Sequence, residues 1–316
     1  MFKYKNHLIS IEYWVSVCIL LSLAALSLTG CSNKHKAYVS TSTTIRDNTP
    51  SCLVPEAPGT VVFDNEYTSV DASNSSEGYV MVTYLGENPN VKLQIIGPDN
   101  MTYTYDLHDN NPETFPLSAG NGGYNINVYE AVGENNMYSA VFNASIDVSI
   151  SNEHGAYLYP NQYVKFNKDS NVVSKCAELV ANAHDDLEAI NYVYNYLIEN
   201  VTYDEVKAAT VESGYIPDVD EILSKGTGIC LDYSAVMVSM LRSQGIPARM
   251  EVGYAGTAYH AWISAYAENI GWINGLVEFD GTSWSLMDPT IAANSGEDRL
   301  AKFIGEGDNY LTQFVY

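Results

Sequence analysis

The stretch Lys225-Gly226-Thr227-Gly228-Ile229-Cys230-Leu231-Asp232-Tyr233-Ser234 decides the fold. Its two glycines allow a tight turn. The apolar residues beyond it, Leu231, Val236, Val238, Met240 and Leu241, continue as a helix until Gly245-Ile246-Pro247 stops it. Cys230 is therefore expected at a helix N-terminus, where the positive end of the dipole favours a thiolate. A cysteine in that place can equally be a small buried hydrophobe. Asp232, in the first turn, suits the helix but opposes a thiolate so close by, and is read as structural.

Outward from this helix the periods are clear. Upstream, Val172, Val173, Cys176, Leu179 and Val180 share one helical face. Leu187, Ile190, Val193, Tyr194 and Leu197 share another, after Asp185 and Asp186, acids suited to a helix start. A short helix is predicted over residues 218–223. Downstream, one histidine remains: His260, in Tyr259-His260-Ala261-Trp262-Ile263, which reads as a strand. Trp284-Ser285-Leu286-Met287-Asp288-Pro289-Thr290 reads as another, ended by its proline.

These pieces carry a resemblance. Tyr203-Asp204, Gly228 to Ser234, Leu241-Arg242, Gly245 to Arg249, Gly253-Tyr254, His260-Ala261-Trp262 and Asp288-Pro289-Thr290 occur in the order seen in the transglutaminase-like superfamily of papain-like thiol enzymes. The resemblance covers about residues 189–290. It implies a catalytic Cys230, His260 and Asp288, with residues 267–283 longer than the family minimum, as an extra hairpin or flap. In such a site Cys230 attacks a carboxamide carbon. His260 holds the thiolate as an ion pair and protonates the leaving amine, and Asp288 fixes the imidazole. The thioester then goes to water or to an amine. The Cys230 N–H is one candidate oxyanion donor. Tyr203 is either a second donor or a core tyrosine. Trp262, two residues from His260 and so on the same strand face, is either a site wall or core.

No cofactor is expected, and no metal, since no CxxC or HxxxH spacing adds ligands to this set. Nor is there a D-x-[DN]-x-[DN]-G calcium loop. The sequence leaves open a catalytically inactive surface-binding or scaffold protein of the same fold.

The rest of the chain supplies the setting. With 15 Lys+Arg against 38 Asp+Glu, the formal net charge is −23. Nucleic acid is thereby excluded as a partner, while 46% hydrophobic residues exclude a disordered acidic chain. Lys3 and Lys5 precede an apolar run from Trp14 to Leu28, short for a membrane span. Leu28-Thr29-Gly30-Cys31 follows and resembles the bacterial lipobox. Residues 1–30 are thus expected as a lipoprotein signal peptide and Cys31 as the lipidated membrane anchor, placing the protein outside the cytoplasm. A protein or a cell-wall peptide is the expected substrate. Residues 31–59, polar and broken by proline, are read as a flexible tether. Residues 60–150 alternate with a period of two between turn signals and are predicted to form an all-β sandwich. Their Tyr103, Tyr105, Tyr124 and Tyr129 are either a sugar-binding face or strand-favouring core. Residues 151–316 are then the α+β transglutaminase-like domain, with its helix on an antiparallel sheet. Cys52 and Cys176 are left either as a disulfide pinning the tether or as free thiols.

Overall fold

The computed structural model describes residues 40–107, 110–133, 137–255, 257–268, 270–274, 278–279, 284–285 and 310–316. Cys31, Asp288 and the signal segment lie outside them.

The first half is built from eight strands. β1 (Val62–Asp64), β2 (Thr68–Asp71), β3 (Tyr79–Tyr84) and β6 (Glu113–Pro116) make one four-stranded antiparallel sheet. β4 (Val91–Ile96), β5 (Thr102–Leu107), β7 (Gly122–Val132) and β8 (Met137–Val148) make a second. The alternation read from sequence is the burial pattern here: in β4, Val91, Leu93 and Ile95 are buried and the residues between them are half-buried. Side chains link the two sheets: Tyr84 donates its hydroxyl to Glu130, and the rings of Tyr105 and Phe115 sit 4.7 Å apart. Tyr103, Tyr105 and Tyr124 are buried. The sugar-binding alternative therefore loses three of its four rings to the core.

Among the described residues, five α-helices follow: α1 (Asn171–Val180), α2 (Asp186–Asn200), α3 (Glu205–Thr210), α4 (Val219–Lys225) and α5 (Cys230–Arg242). Their starts are capped as the acids predict. Asp185 accepts from the Glu188 N–H at 2.8 Å, Asp204 from Lys207 at 2.8 Å and Asp218 from Glu221 at 3.0 Å. Asp220 of α4 accepts from the Asn171 and Val172 N–H groups and so caps α1. Between the helices lie β9 (Thr202–Tyr203) and β10 (Thr227–Gly228), paired in parallel. A last antiparallel sheet has the order β13-β12-β11-β16, from β11 (Ala248–Ala255), β12 (Ala258–Ala267), β13 (Gly271–Ile273) and β16 (Tyr310–Val315). β14 (Glu278–Phe279) pairs with β15 (Trp284–Ser285). The long insertion after His260 thus holds β13 and β14, and the expected strand from 284 is described as two residues only.

α5 is the centre of the helical half. Ala235, Val236, Met237, Val238, Met240 and Leu241 are all fully buried, against α1, α2 and α4 on one side and β11 and β12 on the other. A helix apolar on nearly every face belongs in a core. Each such Val, Leu or Met contributes about 1.5–3 kcal/mol by leaving water. Arg242 ends the helix, fully buried, donating to the carbonyls of Ala248, Tyr159 and Tyr316. Burial pulls its pKa down to about 9.

Part of the expected tether is laid on this body. The Arg46 guanidinium pairs with Asp186 at 2.7 Å and donates to the Gln244 carbonyl, and the Ser51 N–H donates to Ser243 at 2.7 Å. Cys52, Cys176 and Cys230 are free thiols. Among the described residues, no helix is long and apolar enough to cross a membrane.

Candidate active site

Cys230 is the first residue of α5, and the turn before it is set by Gly226 and Gly228. Gly226 ends α4 in the left-handed region, φ +62°. Gly228 is needed for a different reason: a Cβ there would come within 2.7 Å of the Asp232 Cβ. The Asp232 side chain folds back over the turn, where its Oδ2 accepts from the Ile229 N–H at 2.9 Å. One orphan donor of the helix start is thereby satisfied.

β9 and β10 bring Tyr203 opposite Gly228, and the Asp204 N–H donates to the Gly228 carbonyl at 3.0 Å. The Tyr-Asp pair is thus pinned beside the cysteine turn. On the sheet side, α5 packs against β12, which carries His260. The Ala261 backbone, one residue from His260, is among the groups that lower the Cys230 pKa. Tyr203, Cys230 and His260 all line one cavity of about 460 Å³.

The thiol itself is less acidic than the helix dipole alone would make it. Burial pushes Cys230 above its ordinary value, and the charge of Asp232 pushes the same way. The N–H groups of Ala261, Leu231 and Cys230 pull it down without winning. Burial likewise raises the Tyr203 phenol, with the nearby thiolate next in effect. A nucleophile here needs a cation beside it, and His260 lines the same cavity.

Asp232 is structural, as its position suggested, but it is not turned to solvent. It is fully buried, with Lys207 Nζ at 2.5 Å from Oδ2 and the Tyr215 hydroxyl donating to Oδ1 at 2.6 Å. Lys207 also sits 4.3 Å above the Tyr215 ring and 2.7 Å from its hydroxyl. Burial and the Asp232 carboxylate push the Tyr215 phenol up.

Trp262 is buried next to His260 on β12, but it is not among the residues lining the cavity. Its indole N–H donates to Glu251 at 3.0 Å. Glu251 also accepts from Ser264 at 2.6 Å and Thr312 at 3.1 Å, so one carboxylate ties β11, β12 and β16 together.

Several lining residues were not singled out from sequence. Residues 211–215 and Ala208 form one wall, and Tyr163, Tyr259 and Tyr316 contribute others. The signal for the first wall was the Asp204 cap, which starts a helix too short to show a period. Among the described residues, no group of three or more His, Cys, Asp or Glu could hold a metal ion.

Residues 174–275 match the family model described as Transglut_core, the transglutaminase-like superfamily. That segment, which holds Tyr203, Cys230 and His260, is a transglutaminase-like domain. Among curated proteins, 110 residues are 29% identical to "Uncharacterized protein YebA" of Bacillus subtilis (strain 168), covering 28% of this chain and 15% of that protein. The chain thus spans a small part of that relative's length. Three solved structures share the overall likeness at low similarity. One, from Cytophaga hutchinsonii and described as "a Putative Cysteine Protease", has a TM-score of 0.35 and 13% identity, over 68% of this chain and 67% of that one. Another, "a putative protease" of Parabacteroides distasonis, has a TM-score of 0.28 and 16% identity, over 57% and 36%. Red sea bream transglutaminase has a TM-score of 0.28 and 13% identity, over 67% and 48%.

Proposed function

We propose that the protein is a thiol enzyme that opens amide bonds outside the cytoplasm, tethered to the membrane by a lipid on Cys31. Cys230 attacks the carbonyl carbon of a carboxamide in a protein or cell-wall peptide. The S–C bond forms and the C–N bond breaks. The thiol proton passes through His260 to the departing amine. Asp288 orients the imidazole. The thioester is resolved by water or by a second amine, as in peptidases or transglutaminases respectively. The N–H groups at the start of α5, with the Tyr203 hydroxyl, are the donors for the oxyanion.

The observation that carries this reading is the meeting of Tyr203, Cys230 and His260 around one cavity. Three short motifs far apart in sequence converge there. For the first half we infer a β-sandwich, supported by two four-stranded sheets whose inward side chains belong to one core.

The test is iodoacetamide labelling of Cys230 across pH, followed by peptide mass. An ion pair makes the thiol react at pH 6, and His260→Ala removes that reactivity by about 100-fold or more. If the native protein labels only as an ordinary or raised thiol does, the chain is an inactive scaffold. Incubation with wall peptides and an amine probe then separates hydrolysis from transfer, with Cys230→Ala as the blank.

A further inference from the structure

Among the described residues, Arg249 is a cation held by aromatic rings rather than by an anion. It leaves β11 with its guanidinium carbon 3.6 Å from the centre of the Trp272 ring and 4.4 Å from that of Tyr157. The two rings are fixed in turn. Tyr157 donates its hydroxyl to the Ser118 carbonyl at 3.1 Å and meets Trp272 edge-on at 5.3 Å. The Tyr266 and His154 rings support Trp272 from 5.7 and 5.9 Å. Among the described residues, no carboxylate lies within ion-pair distance of Arg249. Its Nε is buried and donates to nothing. This is not for want of acids in a chain with 38 of them.

The guanidinium lines a cavity of about 340 Å³, whose other walls include Ser118, Asn121, Asn152 and Glu153. The walls are held: Asn121 accepts from the Ile150 N–H at 2.6 Å, and Asn152 donates to Glu77 at 3.3 Å. The charge balance narrows the ligand. One guanidinium presents a planar fork that fits one carboxylate. From Arg249, β11 runs four residues to Gly253, which pairs with His260. At about 3.3 Å per residue, that is about 13 Å along the sheet.

We propose that this cavity binds a singly charged carboxylate, presented by the free C-terminal end of a peptide, with Arg249 clamped between Tyr157 and Trp272 as its receptor. The site is separate from the thiol and stands whether or not Cys230 is a nucleophile. The experiment is calorimetric titration of the full chain in detergent micelles with acetyl-tetra-alanine, its C-terminal amide, N-acetylalanine and inorganic phosphate. Saturable binding of the acid peptide is expected, with the amide at least tenfold weaker and Cys230→Ala binding unchanged. N-acetylalanine binding as tightly as the acid peptide would keep the carboxylate but overturn the peptide end as its source. Arg249→Gln should lose the difference between acid and amide, while Trp272→Phe, which keeps a ring in the clamp, should retain it. Equal binding of acid and amide, tighter binding of phosphate, or no saturation in the millimolar range overturns the proposal. The acid and amide comparison needs no variant, so a misfolded Arg249→Gln does not spare it.

Discussion

At Cys230 opposing influences meet within one turn of helix. The backbone N–H groups favour the thiolate, while burial and Asp232 oppose it. Lys207 is the residue that makes Asp232 tolerable there, by pairing with it at 2.5 Å. A fully buried carboxylate stripped of its partner is worth about 3–5 kcal/mol in the losing direction. The Lys207 side chain is 28% exposed, which lets water soften the loss. Lys207→Met should therefore destabilise the protein by about 2–3 kcal/mol in urea unfolding. Adding Asp232→Asn should recover much of it, because the charge needing an answer has gone. If the double variant is no more stable than Lys207→Met, the pair is not the cause. The same cycle bears on reactivity. With His260 absent, Cys230 labelling should rise only above the ordinary thiol range near pH 8.5, since burial holds the thiol up. Asp232→Asn in that background should shift the labelling curve to lower pH.

Among the elements, β16 is held closest to the site by a residue without a side chain. A Cβ on Gly253 would lie 2.0 Å from the Leu311 carbonyl oxygen, and the pairing of β11 with β16 slips at Val252/Gly253. Gly253→Ala must push β16 away from β11, along with Thr312 and its bond to Glu251. A cost of about 1–3 kcal/mol is expected, read as a lower urea midpoint with an unchanged slope. A loss within a few tenths would mean that β16 moves freely. This contact also marks the limit of what sequence tells. Cys230 and His260 were legible because a glycine turn, a long apolar period and one remaining histidine point to them from a distance. α5, α2 and the strands β3, β4 and β5 were legible because each is long enough to show its period. α3 spans six residues with none buried, so no apolar face announces it. Tyr163 and Tyr316 reach the cavity through tertiary packing, which no local pattern encodes. The Tyr203 position was visible as a motif, but its register against Gly228 was not.

Across the whole molecule, the boundary near residue 150 separates two kinds of sequence without separating two bodies. Tyr316 follows β16 and is ringed by Tyr163 at 4.7 Å, Tyr103 at 5.7 Å and Tyr105 at 6.0 Å, two of which come from β5. Its carbonyl accepts from Arg242 at 2.8 Å, and the same guanidinium reaches Tyr159 at 2.6 Å. Gln162 donates to the Asp106 carbonyl at 2.6 Å and to Glu113 at 2.9 Å. The strand-rich half is thus bonded to the helical half through aromatic rings and the Gln162 side chain. Coupling of this kind makes unfolding of either half expose the apolar surface of the other. Far-UV circular dichroism, which reads the early strands and the helices, and the fluorescence of the four tryptophans, Trp262 and Trp272 among them, should give coincident urea transitions. Arg242→Met leaves the Ala248, Tyr159 and Tyr316 carbonyls without their donor, at about 1–3 kcal/mol. Because all three acceptors lie after residue 150, the variant should lower the midpoint of both transitions together. Tyr316→Ser, which removes the ring packed on Tyr103 and Tyr105, should be the change that parts the two transitions, and coincident curves in that variant would show that the ring cluster does not couple the halves.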